Sequence, residues 1–123
     1  MSAAPKTFEY AVTVDEAWDA RSDRGGGVLA GAEEASWTPE HLVLAGLVRC
    51  SLTSLRFHCV RAGVRLTSSA SARGTVTRRE EDGRFAFVEI VVEGDVAFDP
   101  EPSAADVEAL LAKAERDCFV GAS

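Results

Sequence analysis

Three cysteines, Cys50, Cys59 and Cys118, are the residues of this 123-residue chain best suited to covalent chemistry. An odd number of thiols in a chain without an export signal argues against a disulfide framework and for a reactive or simply buried thiol. Reaction needs the thiolate, and a thiol enclosed by hydrocarbon resists ionisation unless a cation or a hydrogen-bond donor stands near it. Cys50 and Cys59 are nine residues apart in one helical segment. That spacing sets them on opposite sides of the helix with a rise of about 13.5 Å between them. Bridged Cα atoms lie within roughly 7 Å, so these two cannot pair. Cys59 reads as a small core residue. The helical neighbours of Cys50, which are Gly46, Leu47, Thr53 and Ser54, carry no positive charge, and Arg49 projects about 100° away. Two readings of Cys50 stay open. It is a catalytic thiol whose activating cation comes from elsewhere in the fold, with Arg21 and Arg24 of an early turn as candidates, or it is an inert core sulfur. His41 and His58 have no cysteine or carboxylate at ligand spacing, so no metal site is expected. His58, late in its helix, reads as a satisfied or surface histidine.

The element that must position Cys50 runs from Thr38 to Gly63. Thr38 suits the N-cap, Pro39 the first helical position and Gly63 the stop, which predicts one helix of about 24 residues, roughly 36 Å long. From Leu42 to Val48 it is apolar all round, the pattern of a helix enclosed on most sides. Before it, Phe8, Tyr10, Val12 and Val14 alternate with polar residues as a half-buried strand. Asp19 to Gly27 reads as a turn, and Val28 to Ala32 as a short return strand. After Gly63 the period becomes two. Val64, Leu66, Ser68, Ala70, Ala72, Gly74 and Val76 form a small-residue inner face that leaves room for the helix. A turn at Arg79 to Gly83 leads to a second strand with Ala86, Val88, Ile90, Val92, Val96 and Phe98 inward. Phe85 and Phe87 fall on its outer face, where another subunit could cover them. Pro100 and Pro102 break this strand, and Ser103 opens a last helix that carries Val107, Leu110, Leu111 and Ala114 inward and leads to Cys118. The order is strand pair, long helix, strand pair, helix, an α+β single domain over residues 1–123 with helices on one side of antiparallel strands.

Hydrophobic residues make up 46% of the chain, enough for a core without staples, and the formal net charge is −7. The charge argues against nucleic acid or an anionic membrane as partner, because phosphate binding needs clustered cations. The adjacent pair Arg78 and Arg79 is followed at once by Glu80, Glu81 and Asp82, a solvated hairpin tip. The first residues lack a signal peptide's apolar run and no stretch reads as membrane-spanning, so a cytoplasmic location is expected.

The segment PEHLVLAGLVRC, with Pro39 and Glu40 opening a helix and Cys50 ten residues after the glutamate, resembles the first cysteine motif of the OsmC/Ohr family of organic hydroperoxide reductases. The tail AERDCFVGAS resembles that family's second cysteine motif. The resemblance implies an intertwined homodimer and a thiol peroxidase without metal, flavin or other cofactor. Cys50 would attack the peroxide and become a sulfenic acid, Cys118 would condense with it to a disulfide, and an external dithiol would reduce that disulfide. Glu40 would orient an arginine, Arg21 or Arg24, onto the thiolate. Glu40 and Cys50 are separated by about 15 Å of helical rise. Either the helix breaks near its start, therefore, or Glu40 serves a second subunit. The second motif departs from the family, with Glu115 and Phe119 where a histidine and a proline are usual, and the chain ends where the family continues into a last strand. The competing expectation is a non-catalytic relative that binds a small apolar ligand in the dimer cleft.

Overall fold

The computed structural model describes residues 5–123. The chain divides into two compact units, Met1–Pro39 and Glu40–Ser123. In the first, strands β1 (Val12–Val14) and β2 (Ala20–Ser22) pair antiparallel, Val12 opposite Ser22 and Val14 opposite Ala20. The return strand therefore lies inside the segment expected to be a turn. Asp15 causes this. Its carboxylate accepts from the backbone N–H groups of Ala17 (2.9 Å) and Asp19 (3.0 Å), which tightens the reversal around Trp18, a residue at φ +67°. An Asp side chain that bonds its own following backbone builds a turn within a few residues, without help from glycines. The Val28 to Ala32 segment keeps only a single bridge, Ala20 to Leu29, before a 3-10 turn at Gly31–Glu33.

The second unit is a helix-covered hairpin. Helix α1 spans Pro39–Arg61 without a break, with Glu40 in its first turn and His58 and Arg61 in its last, charges placed to suit the helix dipole. It stops at Gly63, at φ +72°, where the Val64 N–H closes onto the Cys59 carbonyl at 2.9 Å in the six-to-one bond of a glycine-terminated helix. Strand β3 (Arg65–Arg78) and strand β4 (Phe85–Asp99) pair antiparallel along their length. The tip is held by Arg79 against Asp82, as the charge run implied. Helix α2 (Ala104–Arg116) starts on Ser103, whose hydroxyl accepts the Asp106 N–H at 3.2 Å, and a four-residue helix α3 (Phe119–Ala122) follows.

Both long helices lie on one face of the hairpin. Leu55 and Cys59 of α1 bury against Leu110 and Ala114 of α2, with Val64, Leu66 and Phe98 packed around them. Burying each of the two leucines contributes about 1.5–3 kcal/mol. The small inner face of β3 does the work expected of it. A Cβ on Gly74 would lie 2.6 Å from the Phe87 ring and 3.3 Å from a Leu44 methyl, so only glycine lets the helix and that ring meet over the strand.

Phe87 is a correction. The register passes from Thr75 opposite Glu89 to Val76 opposite Phe87, which leaves Val88 as the extra residue of a bulge. One inserted residue reverses the side-chain alternation beyond it. Phe87 therefore turns inward and Val88 outward, opposite to the simple period of two. A second correction concerns α1. Its buried residues, Ser54, Leu55 and Cys59, belong to its C-terminal half, whereas Leu42 and Val43 are exposed and Leu44 to Val48 only half-covered. Helix α1 is also long and apolar enough to cross a membrane by length and composition. Arg49 and Arg56 interrupt the apolar run in sequence and hid this.

Candidate functional site: two thiols between the helices

Cys50 faces α2 from the middle of α1 and is half-buried, while Cys118, between α2 and α3, is buried. Both thiols are free, and they stand beside successive residues of the same short helix, α3. The chain's turn after α2 supplies the donors around them. The Val120 N–H points at the Cys50 Sγ (3.4 Å) and the Gly121 N–H at the Cys118 Sγ (3.4 Å). The Ser51 hydroxyl lies 3.8 Å from the Cys118 sulfur while donating to the Leu47 carbonyl at 2.9 Å. Burial pushes the Cys118 thiol up, but the Gly121 N–H, the Cys50 thiol, the Ser51 hydroxyl and the Val120 N–H together outweigh it and hold Cys118 below the ordinary thiol value. All of these groups are neutral, so any stabilisation of a thiolate here comes from hydrogen bonding and not from a cation. Cys59 has no such company. It is fully buried, and desolvation pushes its thiol up.

Cys118 lines a cleft of about 620 Å³ bounded by α1, the hairpin and the end of α2, with Leu52, Leu55, Ile90, Val92 and Leu111 in the same wall. Its lining is mainly apolar and Glu115 is its single charged side chain. Small-molecule sites are typically concave, apolar and of this order of volume.

The remaining expected site residues are not brought to the thiols within Glu40–Ser123. Glu40 sits exposed in the first turn of α1. Because the helix is continuous, ten residues and about 15 Å of rise separate it from Cys50. Arg21 and Arg24 belong to the first unit. Arg21 bonds the Asp15 carboxylate at 2.9 Å, and Arg24 stacks 4.7 Å over the Tyr10 ring while donating to the Glu9 carbonyl at 3.3 Å. Ser51, Val120 and Gly121 went unnoticed in the sequence. Ser51 could have been found from its place next to Cys50, but backbone donors contributed by a chain reversal carry no side-chain signature.

A hairpin backed by a long cysteine-bearing helix, with a second thiol delivered by the following helix, defines an α+β thiol protein. A sequence model described as OsmC-like protein matches residues 31–123, and the chain belongs to that family. Arg21 and Arg24 precede the matched span. No curated protein matches the chain in sequence. Among solved structures, the fold is similar to an OsmC-like protein of unknown function from Vibrio cholerae (TM-score 0.73, 13% identity, covering 94% of this chain and 93% of that one). It is also similar to an organic hydroperoxide resistance protein from Legionella pneumophila (0.63, 19%, 98% and 90%). A third is the organic hydroperoxide resistance protein OhrB of Bacillus subtilis (0.57, 21%, 95% and 89%).

Proposed function

We propose that this chain is a cysteine-based peroxidase that reduces organic hydroperoxides in the cytoplasm. The observation that carries the reading is that Cys50 and Cys118, sixty-eight positions apart in sequence, accept from the adjacent N–H groups of Val120 and Gly121, beside an apolar cleft that Cys118 lines. The Cys50 thiolate attacks the distal oxygen of ROOH, forming a sulfenic acid and releasing an alkoxide that is protonated to the alcohol. The Cys118 thiol then displaces water from that sulfenic acid, and the resulting disulfide is reduced by an external dithiol. Cys50 is the more accessible sulfur, which suits the attacking role, and Cys118 is the buried one, which suits resolution. Relatives of the same fold bear the name of hydroperoxide resistance proteins.

The activating cation enters with a second copy. The unbroken α1 supports the reading in which Glu40 acts across a dimer interface, orienting Arg21 or Arg24 onto a thiolate. The exposed Leu42, Val43, Phe57 and Val60 of α1 support an interface on this helix.

Mass spectrometry after one equivalent of cumene hydroperoxide tests the mechanism: a Cys50–Cys118 crosslink is expected, and unchanged peroxide consumption by Cys50→Ser would rule it out. The neutral character of every donor at the thiols favours a second reading, an OsmC-like protein that holds a small apolar ligand beside an inert sulfur. Under that reading the Cys50 alkylation rate at neutral pH matches that of an ordinary thiol, and apolar ligands protect it.

A further inference from the structure

Cys118 follows directly on the residue where α2 ends, and that residue is held by α1. Asp117 is the C-cap of α2, at φ −98° and ψ 12°, and there the chain leaves the helix for Cys118 and α3. Its carboxylate lies 2.8 Å from His58 Nε2 of α1 through Oδ2 and also accepts from Arg116, through Nε at 3.0 Å and Nη2 at 3.0 Å. His58 is only 11% exposed in its side chain, and the Phe57 ring meets it edge-on at 5.2 Å, so the imidazole has little freedom to turn away. One and two turns earlier on the same stripe of α1, Ser54 donates to the Ala114 carbonyl at 2.8 Å and Cys50 accepts from the Val120 N–H. Residues four apart on a helix share a face. Cys50, Ser54 and His58 thus form three successive rungs, all bonded to the segment that carries Cys118.

We infer that His58 is a positioning residue for the second thiol: through Asp117 it fixes the exit from α2 so that Cys118 stands against Cys50, ready to close the disulfide. The inference rests on the peroxidase reading for its chemistry but not for its geometry. In the step concerned, the Cys118 thiol attacks the sulfur of the Cys50 sulfenic acid, the S–S bond forms, the S–O bond breaks, and the hydroxyl leaves as water with the Cys118 proton. The first step, attack of Cys50 on the peroxide, does not require Cys118 to be in place. The contact thus acts on closure alone, whereas a purely structural role would alter both steps or neither.

The test uses the full-length reduced protein with His58→Leu, His58→Gln and, in case the first fails to fold, Asp117→Ala, which cuts the same bond from its more exposed side. Each variant is treated with cumene hydroperoxide in one series and with diamide in another. Diamide oxidises neighbouring thiols directly and needs no sulfenic acid. Timed quenching and intact mass resolve the sulfenic and disulfide forms. The expected result is closure slowed about tenfold in His58→Leu and Asp117→Ala, since small misplacements of reacting groups cost one to two orders of magnitude. Sulfenic acid then accumulates at an unchanged rate of formation, and His58→Gln, which keeps a donor near the Nε2 position, recovers closure. Equal closure rates in all forms under diamide would overturn the inference. If peroxide leaves Cys50 unoxidised while the diamide series shows the slowing, the positioning role stands and the peroxidase reading falls.

Discussion

Cys50 and Cys59 share a helix and differ in what surrounds them. Cys59 is fully buried, which disfavours its anion, whereas Cys50 is half-buried and accepts from the Val120 N–H. Alkylation of the native protein should therefore proceed at Cys50 and leave Cys59 untouched until the protein unfolds. Peroxide consumption should survive Cys59→Ser and vanish in Cys50→Ser. Cys118→Ser should stop at the sulfenic acid, detectable as a single-oxygen mass increase. Asp117 carries a pH signature of its own. Hydrogen bonds from Arg116 first, opposed by desolvation and then helped by His58, lower its carboxyl from 3.8 to about 2. A depressed carboxyl favours the folded state above its unfolded value and loses that contribution as the pH falls through the folded one. Melting temperatures followed from pH 4 down to about 2 should thus fall more steeply in the native protein than in Asp117→Asn, which has no charge to lose.

The helices and strands are held by a few local devices that mutation can address singly. Ser103→Ala removes the oxygen that accepts the Asp106 N–H and should destabilise by about 1 kcal/mol in urea unfolding. Gly74→Val places a branched side chain where Phe87 and Leu44 already meet and should cost about 1–3 kcal/mol through overpacking. The same substitution at Gly46, where a Cβ meets nothing nearby, should be felt far less. The bulge at Val88 explains why this packing escaped the periodic reading. Alternation is a rule about uninterrupted pairing, and a single inserted residue inverts it without changing composition.

For the molecule as a whole, the expectation is a dimer. Light scattering at micromolar concentration should report twice the 13.1 kDa chain mass, and an active monomer would contradict the shared-site reading. Replacing Arg21 with Gln should slow the reaction of Cys50 with peroxide if that arginine supplies the charge. Replacing Arg24 tests the other candidate, since each guanidinium is already engaged, Arg21 by Asp15 and Arg24 by the Tyr10 ring.

The boundaries of α1, the cap of α2, the hairpin tip and the α+β order were all legible in the sequence, because each follows from residues within a few positions of one another. The cysteine motifs made the family legible too. The Asp15 reversal is local as well, but it leaves no mark on the hydrophobic period. Local residues could not reveal that Phe87 faces the helix, or that the end of the chain brings Val120 and Asp117 to Cys50 and His58. Those contacts join segments up to seventy residues apart, and they exist only once α1 and α2 pack on the same side of one hairpin.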